Sequence, residues 1–201
     1  TPVGGGAIAF PVLTLIKHTP PPIAATYSLA IQSFGMTAAS LAIMKRKIEF
    51  DKVLLLVSVI SGIIGYSASF FFIKNHISPL LLKVFFSSFW LSFGIVLFFT
   101  NKMGNNDFKS FRNHRNEIKK IVVFGICSLV GGMITAWVGS SMDVIFFSLA
   151  ILLFSVEEKI ATPTSVIVMA SLSLYGTVLN LISNNIPIDV YNYLSSTIPI
   201  V

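Results

Sequence analysis

The sequence predicts an all-α, polytopic helical membrane protein built of two inverted-topology repeats, each with a broken, re-entrant helix beside its transmembrane helices. Three observations predict it. The 201-residue chain is 54% hydrophobic and only 11% charged, whereas soluble domains carry about 25% charged residues. Apolar stretches recur at residues 23–44, 53–73, 79–100, 121–154 and 160–182, each long enough to cross a bilayer core, which takes about 20 residues. Finally, Val3-Gly4-Gly5-Gly6 and Val138-Gly139-Ser140-Ser141 look like two copies of one element, a break of small residues followed by a short apolar run, a loop and a hydroxyl-bearing segment start. The stretches are helical rather than alternating in pattern, which argues against a β-barrel.

The elements follow in order. The first repeat, residues 1–100, opens on the glycine break and a short run to Ile16. Lys17-His18-Thr19-Pro20-Pro21-Pro22 is a stiff loop, because proline fixes φ and stops helices. The next segment starts on Ala25-Thr26-Tyr27-Ser28 and ends in Lys45-Arg46-Lys47. The third carries Ser61, Gly65 and Ser69 at four-residue spacing, a stripe suited to close helix packing. Phe70-Phe71-Phe72, Phe85-Phe86 and Phe98-Phe99 read as lipid-facing or packing aromatics. A basic linker, residues 101–120, leads to the second repeat, residues 121–201. Its first stretch, 121–154, is too long for one upright crossing at 1.5 Å per residue. It must tilt steeply or break, and Gly139-Ser140-Ser141 is the natural break. Ala161-Thr162-Pro163-Thr164-Ser165 then opens the next segment.

Loop charge sets the orientation. The loops at 45–52 and 101–120 hold most of the Lys and Arg and are assigned to the cytoplasm. If residues 121–154 crossed once, the loop 183–197, with Asp189 and no Lys or Arg, would be cytoplasmic too. If they enter and leave by one face, that loop falls outside, as the rule prefers. Each repeat is then one hairpin plus three crossings, and an odd number of crossings inverts the second repeat. The second break has an apolar run before it, and the first does not. Equal halves would place about 17 residues upstream and about two spans downstream, as in a piece of a longer chain.

Composition also excludes function classes. The net charge of +6 resides in loops between spans, so the positive-inside rule explains it without nucleic acid. Cys127 stands alone in an apolar segment and supports neither a disulfide nor a thiol–metal site. His18, His76 and His114 have no ligand spacing, so no metal is expected. No nucleophile–base pair, phosphate loop or HExxH is visible, which argues against an enzyme, against ATP hydrolysis and against a bound cofactor.

The two breaks carry the functional reading, since paired broken helices point to a transporter's binding site. Gly4-Gly5-Gly6 permits φ > 0 and a close backbone approach. The run beginning near Ala7 would then aim a helix N-terminus at the bilayer centre, where unpaired N–H groups attract anions. Gly139, Ser140 and Ser141 would do the same and add hydroxyl donors. The alternative is that these residues only permit tight packing. Thr26, Ser28, Thr162 and Thr164 could cap their segments or donate to a ligand oxygen. Asp143 is the only acidic residue deep in an apolar segment. A carboxylate at the bilayer centre costs about 2.5–3.5 kcal/mol on insertion scales, so it marks function. It is a proton-coupling candidate or a charge that shapes the site. Gln32 and Trp137 could line the pathway or be satisfied within the bundle.

The Gly4–Pro11 pattern G-G-G-x-x-x-x-P, the Ala25-Thr26-x-Ser28 element, their later partial copies and the spacing of spans resemble the TauE/SafE sulfite exporter family over nearly the whole chain. In the second copy Ser140 and Ser141 stand where the family has glycines, Phe146 stands where Pro11 stands, and Asp143 is added. The resemblance implies two inverted halves and export of sulfur-containing anions, sulfite or organosulfonates, across a prokaryotic inner membrane, with proton-coupled movement. A small anionic substrate would be held by Gly5, Gly6, Ser140 and Ser141, with Thr26, Ser28, Thr162 and Thr164 completing the shell. A passive anion channel, or a structural or assembly membrane protein whose glycines serve packing alone, are the rival readings.

Overall fold

The computed structural model describes residues 5–72, 78–102, 117–154 and 156–183. Among these residues every regular element is helical. α1 (Gly6–Pro11) runs into a π-helical turn, Val12–Ile16. α2 spans Pro21–Lys45, α3 Lys52–Phe72, α4 Pro79–Lys102 and α5 Glu117–Val138. α6 (Met142–Ser148) also runs into a π-helical turn, Leu149–Leu153, and α7 spans Glu158–Ile182. The helices α2, α3, α5 and α7 are each long and apolar enough to cross a membrane.

Local chemistry sets the boundaries. Pro20, Pro21 and Pro22 start α2, where missing N–H groups cost nothing because the first turn leaves them unpaired. Asp51 starts α3: its Oδ1 accepts from the N–H groups of Val53 (3.1 Å) and Leu54 (3.0 Å). Gly139 stops α5 at φ +81°, with its N–H on the Thr135 carbonyl at 2.8 Å, the left-handed ending that favours glycine. The long stretch at 121–154 therefore breaks at Gly139-Ser140-Ser141, as its length demanded. α5 begins at Glu117, inside the stretch read as linker.

Both short helices share one construction. A single α-helical turn or two starts at the break and widens into a π turn, so that α1 and α6 continue to Ile16 and Leu153. The first π turn follows directly on Pro11. In the second copy Phe146 replaces that proline, and the π turn forms without it. The run Met142–Leu153 rises about 18 Å, roughly half of a bilayer core.

Side-chain contacts fix the helix directions. Lys120, near the start of α5, lies 3.8 Å from Asp51 at the start of α3. The Asp51 N–H donates to Thr164 near the start of α7 at 3.1 Å. At the other end Asn180 Nδ2 of α7 donates to the Tyr66 hydroxyl of α3 at 2.9 Å, and Ser67 pairs with Tyr175 at 2.7 Å. So α3, α5 and α7 run parallel, with their starts on one side. α2 ends where α3 starts, across a short loop, and therefore runs opposite to α7. The stretch of α5, break and α6 begins on the Asp51 side and delivers the chain back to it.

Small residues bring the helices together. α3 packs along α5 over the greatest length. A Cβ on Gly65 would strike the Leu129 carbonyl, and one on Gly132 would strike the Gly62 carbonyl. The buried stripe is Ser58, Gly62, Gly65 and Ser69, so the expected Gly65 and Ser69 belong to it while Ser61 lies half-buried at its edge. A strict four-residue spacing drifts off a 3.6-residue turn, and Gly62 and Ser58 hold the seam instead. Outer faces are apolar, as in Leu56, Ile60 and Ile64 of α3 and Val122, Ile126 and Val130 of α5, while polar side chains turn inward. That arrangement suits lipid outside and protein inside.

Candidate functional site

The starts of α1 and α6 meet on one stripe of α2. Ser28 and Gln32, four residues apart, face the same way. The Ser28 hydroxyl donates to the Gly6 carbonyl at 2.6 Å. The Gln32 amide fills the space a side chain on Gly6 would need, since a Cβ there would meet Gln32 Oε1 and would lie 2.9 Å from Ser28 Oγ. From the other side Gln32 Nε2 donates to Asp143 Oδ2 at 3.3 Å. Gly139 presses on the same helix, because a Cβ there would strike the Ala25 carbonyl and lie 3.2 Å from Ser28 Cβ. Gly6, Ser28, Gln32, Gly139 and Asp143 are thus brought together.

The glycines act differently from one another. Among the described glycines Gly139 alone has a positive φ. Gly5 is right-handed (φ −57°) and exposed, and a Cβ on it would meet only Ile31 Cγ2 at an ordinary 3.7 Å. The first break therefore needs glycine at Gly6 for room, not for its dihedral angles, which corrects the expectation from Gly4-Gly5-Gly6. Gly4 itself lies outside the described residues.

The second break is wholly enclosed. Ser140, Ser141 and Asp143 are completely buried. Thr135 Oγ1 donates to the Gly131 carbonyl at 2.8 Å and lies 3.2 Å from Ser141 Oγ. Thr135 has one hydroxyl proton, so Ser141 is the donor of that pair. Asp143 Oδ1 accepts from the Val144 N–H at 2.9 Å. Ser140 Oγ, Gln32 Oε1 and Trp137 Nε1 are buried atoms without a hydrogen-bond partner among the described residues. Buried polar groups are nearly always paired, so three orphans around two breaks mark a place for polar groups of a ligand or water. Trp137 is set edge-on to Phe85 (5.8 Å), and Phe86 packs on Phe10 (4.6 Å), so α4 walls the site with aromatics.

Three expected shell residues lie elsewhere. None of Thr26, Ser28, Thr162 and Thr164 caps a helix, because α2 begins at Pro21 and α7 at Glu158. Thr26 donates back to the Pro22 carbonyl at 3.1 Å. Thr164 donates to the Ile160 carbonyl at 2.6 Å and accepts from Asp51, which ties α7 to the start of α3. It lies about 18 Å along α7 from Gly176, the residue that meets Leu29 of α2. Thr162, half-buried in the first turns of α7, sits at that same distant end. Only Ser28 of the four reaches a break. Thr135 escaped the sequence reading, as did the pairing of Gln32 with Ser28, although their four-residue spacing on one helix was the available signal.

The pattern of the family described as Sulfite exporter TauE/SafE matches residues 1–199. No curated protein and no solved structure matches the chain. A polytopic helical protein matched over almost its full length, with paired short helices starting inside the bundle, belongs to the TauE/SafE sulfite exporter family of membrane transporters.

Proposed function

We propose that the chain is a secondary transporter that exports small sulfur-containing anions, of the sulfite and organosulfonate class, by alternating access. One observation carries the proposal: the starts of α1 and α6 converge on Gln32, whose own Oε1 is orphaned as are Trp137 Nε1 and Ser140 Oγ at the second break, with no buried Lys or Arg among the described residues. A sulfonate offers three acceptor oxygens, which suits a ring of neutral donors. Ser140 and Trp137 supply such donors, and the backbone at Gly6 and Ser141 adds more. Gly5, Thr26, Thr162 and Thr164 fall outside this revised shell.

The moving parts in this reading are two halves, residues 1–100 and 121–201, joined by the basic linker at 101–120. The antiparallel course of α2 and α7, and the matching helix-plus-π construction of α1 and α6, support inverted repeats. Placing the loop at 45–52 and the linker in the cytoplasm of a prokaryotic cell then puts the Asp51 side inside.

Flux from proteoliposomes loaded with sulfite or methanesulfonate tests the proposal. A carrier gives saturable efflux, stimulated by the same anion outside. Unsaturable conductance instead makes the protein a passive channel, and absence of flux with folded protein leaves the breaks a packing role.

A further inference from the structure

Two lysines stand where local helix chemistry disfavours them, and both line one cavity. α2 ends in a Schellman motif: the Ile48 N–H donates to the Ile43 carbonyl at 3.1 Å, and the Lys47 N–H to the Met44 carbonyl at 3.1 Å. The residue that turns such a motif is left-handed and is usually glycine. Here it is Lys47, at φ +53°. Lys52 is the first residue of α3, directly after the capping Asp51, so it brings a positive charge to the positive end of that helix. Lys45 and Arg46 suit the negative end of α2, and the orientation rule asks only for basic residues somewhere in this loop. Neither requires a lysine at 47 or at 52.

The cavity has a volume of about 470 Å³ and lies between the α2–α3 loop and Ile160 of α7. Glu49 and Asp51 line it too. Asp51 is spent, because its Oδ1 accepts from the N–H groups of Val53 and Leu54 and its Oδ2 lies 3.8 Å from Lys120. Glu49 is exposed, and from Lys45 to Lys52 four cations stand against these two carboxylates. The cavity therefore favours an anion. α2 and α3 are both of membrane-crossing length, so the loop that joins them lies at the level of the lipid headgroups. Leu56 lies one turn along α3 from Lys52, and Ile60 one turn further; both are exposed. An apolar track thus runs from the cavity toward the bilayer.

We propose that this cavity binds the phosphodiester of an anionic phospholipid, with its phosphate between Lys47 and Lys52 and an acyl chain along Leu56 and Ile60. The phosphate charge offsets both local costs, the left-handed turn at Lys47 and the cation at the start of α3. Bound there, the headgroup ties the end of α2 to the start of α3 and, across Ile160, to the start of α7. The apolar track selects a lipid, since a soluble phosphate has nothing to lay on it. Lys45 and Arg46, exposed beside the cavity, favour a headgroup of net negative charge over one that carries its own cation. The site lies at the Asp51 end of the bundle and does not depend on which anion is transported.

Thermal unfolding of the purified protein in detergent, titrated with dioleoyl phosphatidylglycerol, tests the site. The melting temperature should rise with lipid concentration, because a ligand of the folded state stabilises it. Dioleoyl phosphatidylcholine and soluble glycerol phosphate should give little or no rise at the same concentrations. Lys47→Gly removes the charge and relieves the backbone together. It should melt above the wild type without lipid, yet need about tenfold more phosphatidylglycerol for half the shift. Lys52→Ala should weaken the response in the same way. Lys119→Ala removes an exposed cation outside the cavity on the same side and should leave the response intact. No rise with phosphatidylglycerol, or an equal rise with phosphatidylcholine or with glycerol phosphate, overturns the proposal. So does a response unchanged in Lys47→Gly and Lys52→Ala, or lost equally in Lys119→Ala. Should Lys47→Gly fail to elute as a single species, Lys52→Ala against Lys119→Ala decides.

Discussion

Gln32 of α2 and Asp143 of α6 meet at 3.3 Å although 111 positions separate them in the chain. Gln32 stands on the helix that packs against Gly6, Asp143 opens the short helix after Gly139, and each is fully buried. Their bond is therefore a direct tie at the breaks between two halves that sequence alone presents as separate copies. Gly6 makes it possible, because the Gln32 amide occupies the volume that any side chain at Gly6 would take.

Gly6→Ala should therefore destabilise the protein by about 1–3 kcal/mol, the usual cost of overpacking, and reduce anion binding. Gly5→Ala should leave both nearly unchanged, since Gly5 is exposed and its added methyl meets only an ordinary contact. Thermal unfolding in detergent compares the two, and equal effects would disprove the division of labour.

Gly65→Ala should disrupt the bundle more than any of the site variants, because its Cβ would strike the Leu129 carbonyl, a backbone atom that cannot swing away. Gly94→Ala is the matched control: it lies in α4 with nothing within 4 Å of the added atom. Yield of monodisperse protein is the measurement, and a Gly65→Ala protein as abundant as Gly94→Ala would contradict the close crossing.

Ser140→Ala and Ser141→Ala should separate binding from stability. Ser140 Oγ has no partner among the described residues, so its removal should lower anion affinity with little change in melting temperature. Ser141 donates to Thr135, so its loss should cost stability by about 0.5–1.5 kcal/mol. Calorimetric binding beside thermal unfolding reads both.

Asp51→Ala should cost about 0.5–2 kcal/mol, the worth of an N-cap, because two N–H groups of α3 lose their acceptor. Lys120→Ala should cost far less, since a partly exposed pair at 3.8 Å contributes about 0–1 kcal/mol. Denaturant or thermal unfolding ranks the two, and a larger loss from Lys120→Ala would reverse the assignment.

Much of the fold was legible because bilayer thickness dictates segment length. The stretches at 23–44, 79–100 and 160–182 each lie within one helix of the structure, extended by no more than two residues at either end, and the stretch that begins at 53 follows α3 to its end at Phe72. The excess length of 121–154 forced a break, and the chain broke at Gly139-Ser140-Ser141, while Gly131-Gly132 stayed helical. Legibility failed at the site for a reason of geometry. Thr162 and Thr164 match Thr26 and Ser28 in sequence, yet Thr164 bonds Asp51 while Ser28 bonds Gly6. Matching letters in two segments do not guarantee matching neighbours in the bundle.

By itself the sequence determined the membrane class, the helical segments, the break at Gly139-Ser140-Ser141 and the family, because these follow from hydrophobic length, composition and local backbone preference. Only the tertiary structure decided which break residues act together. It placed Gln32 between Gly6 and Asp143, closed a hydroxyl pair at Thr135 and Ser141, and left Ser140 and Trp137 with unanswered polar atoms. Those outcomes depend on helix direction and depth in the bundle, which arise from packing between distant segments and are not encoded in any one of them.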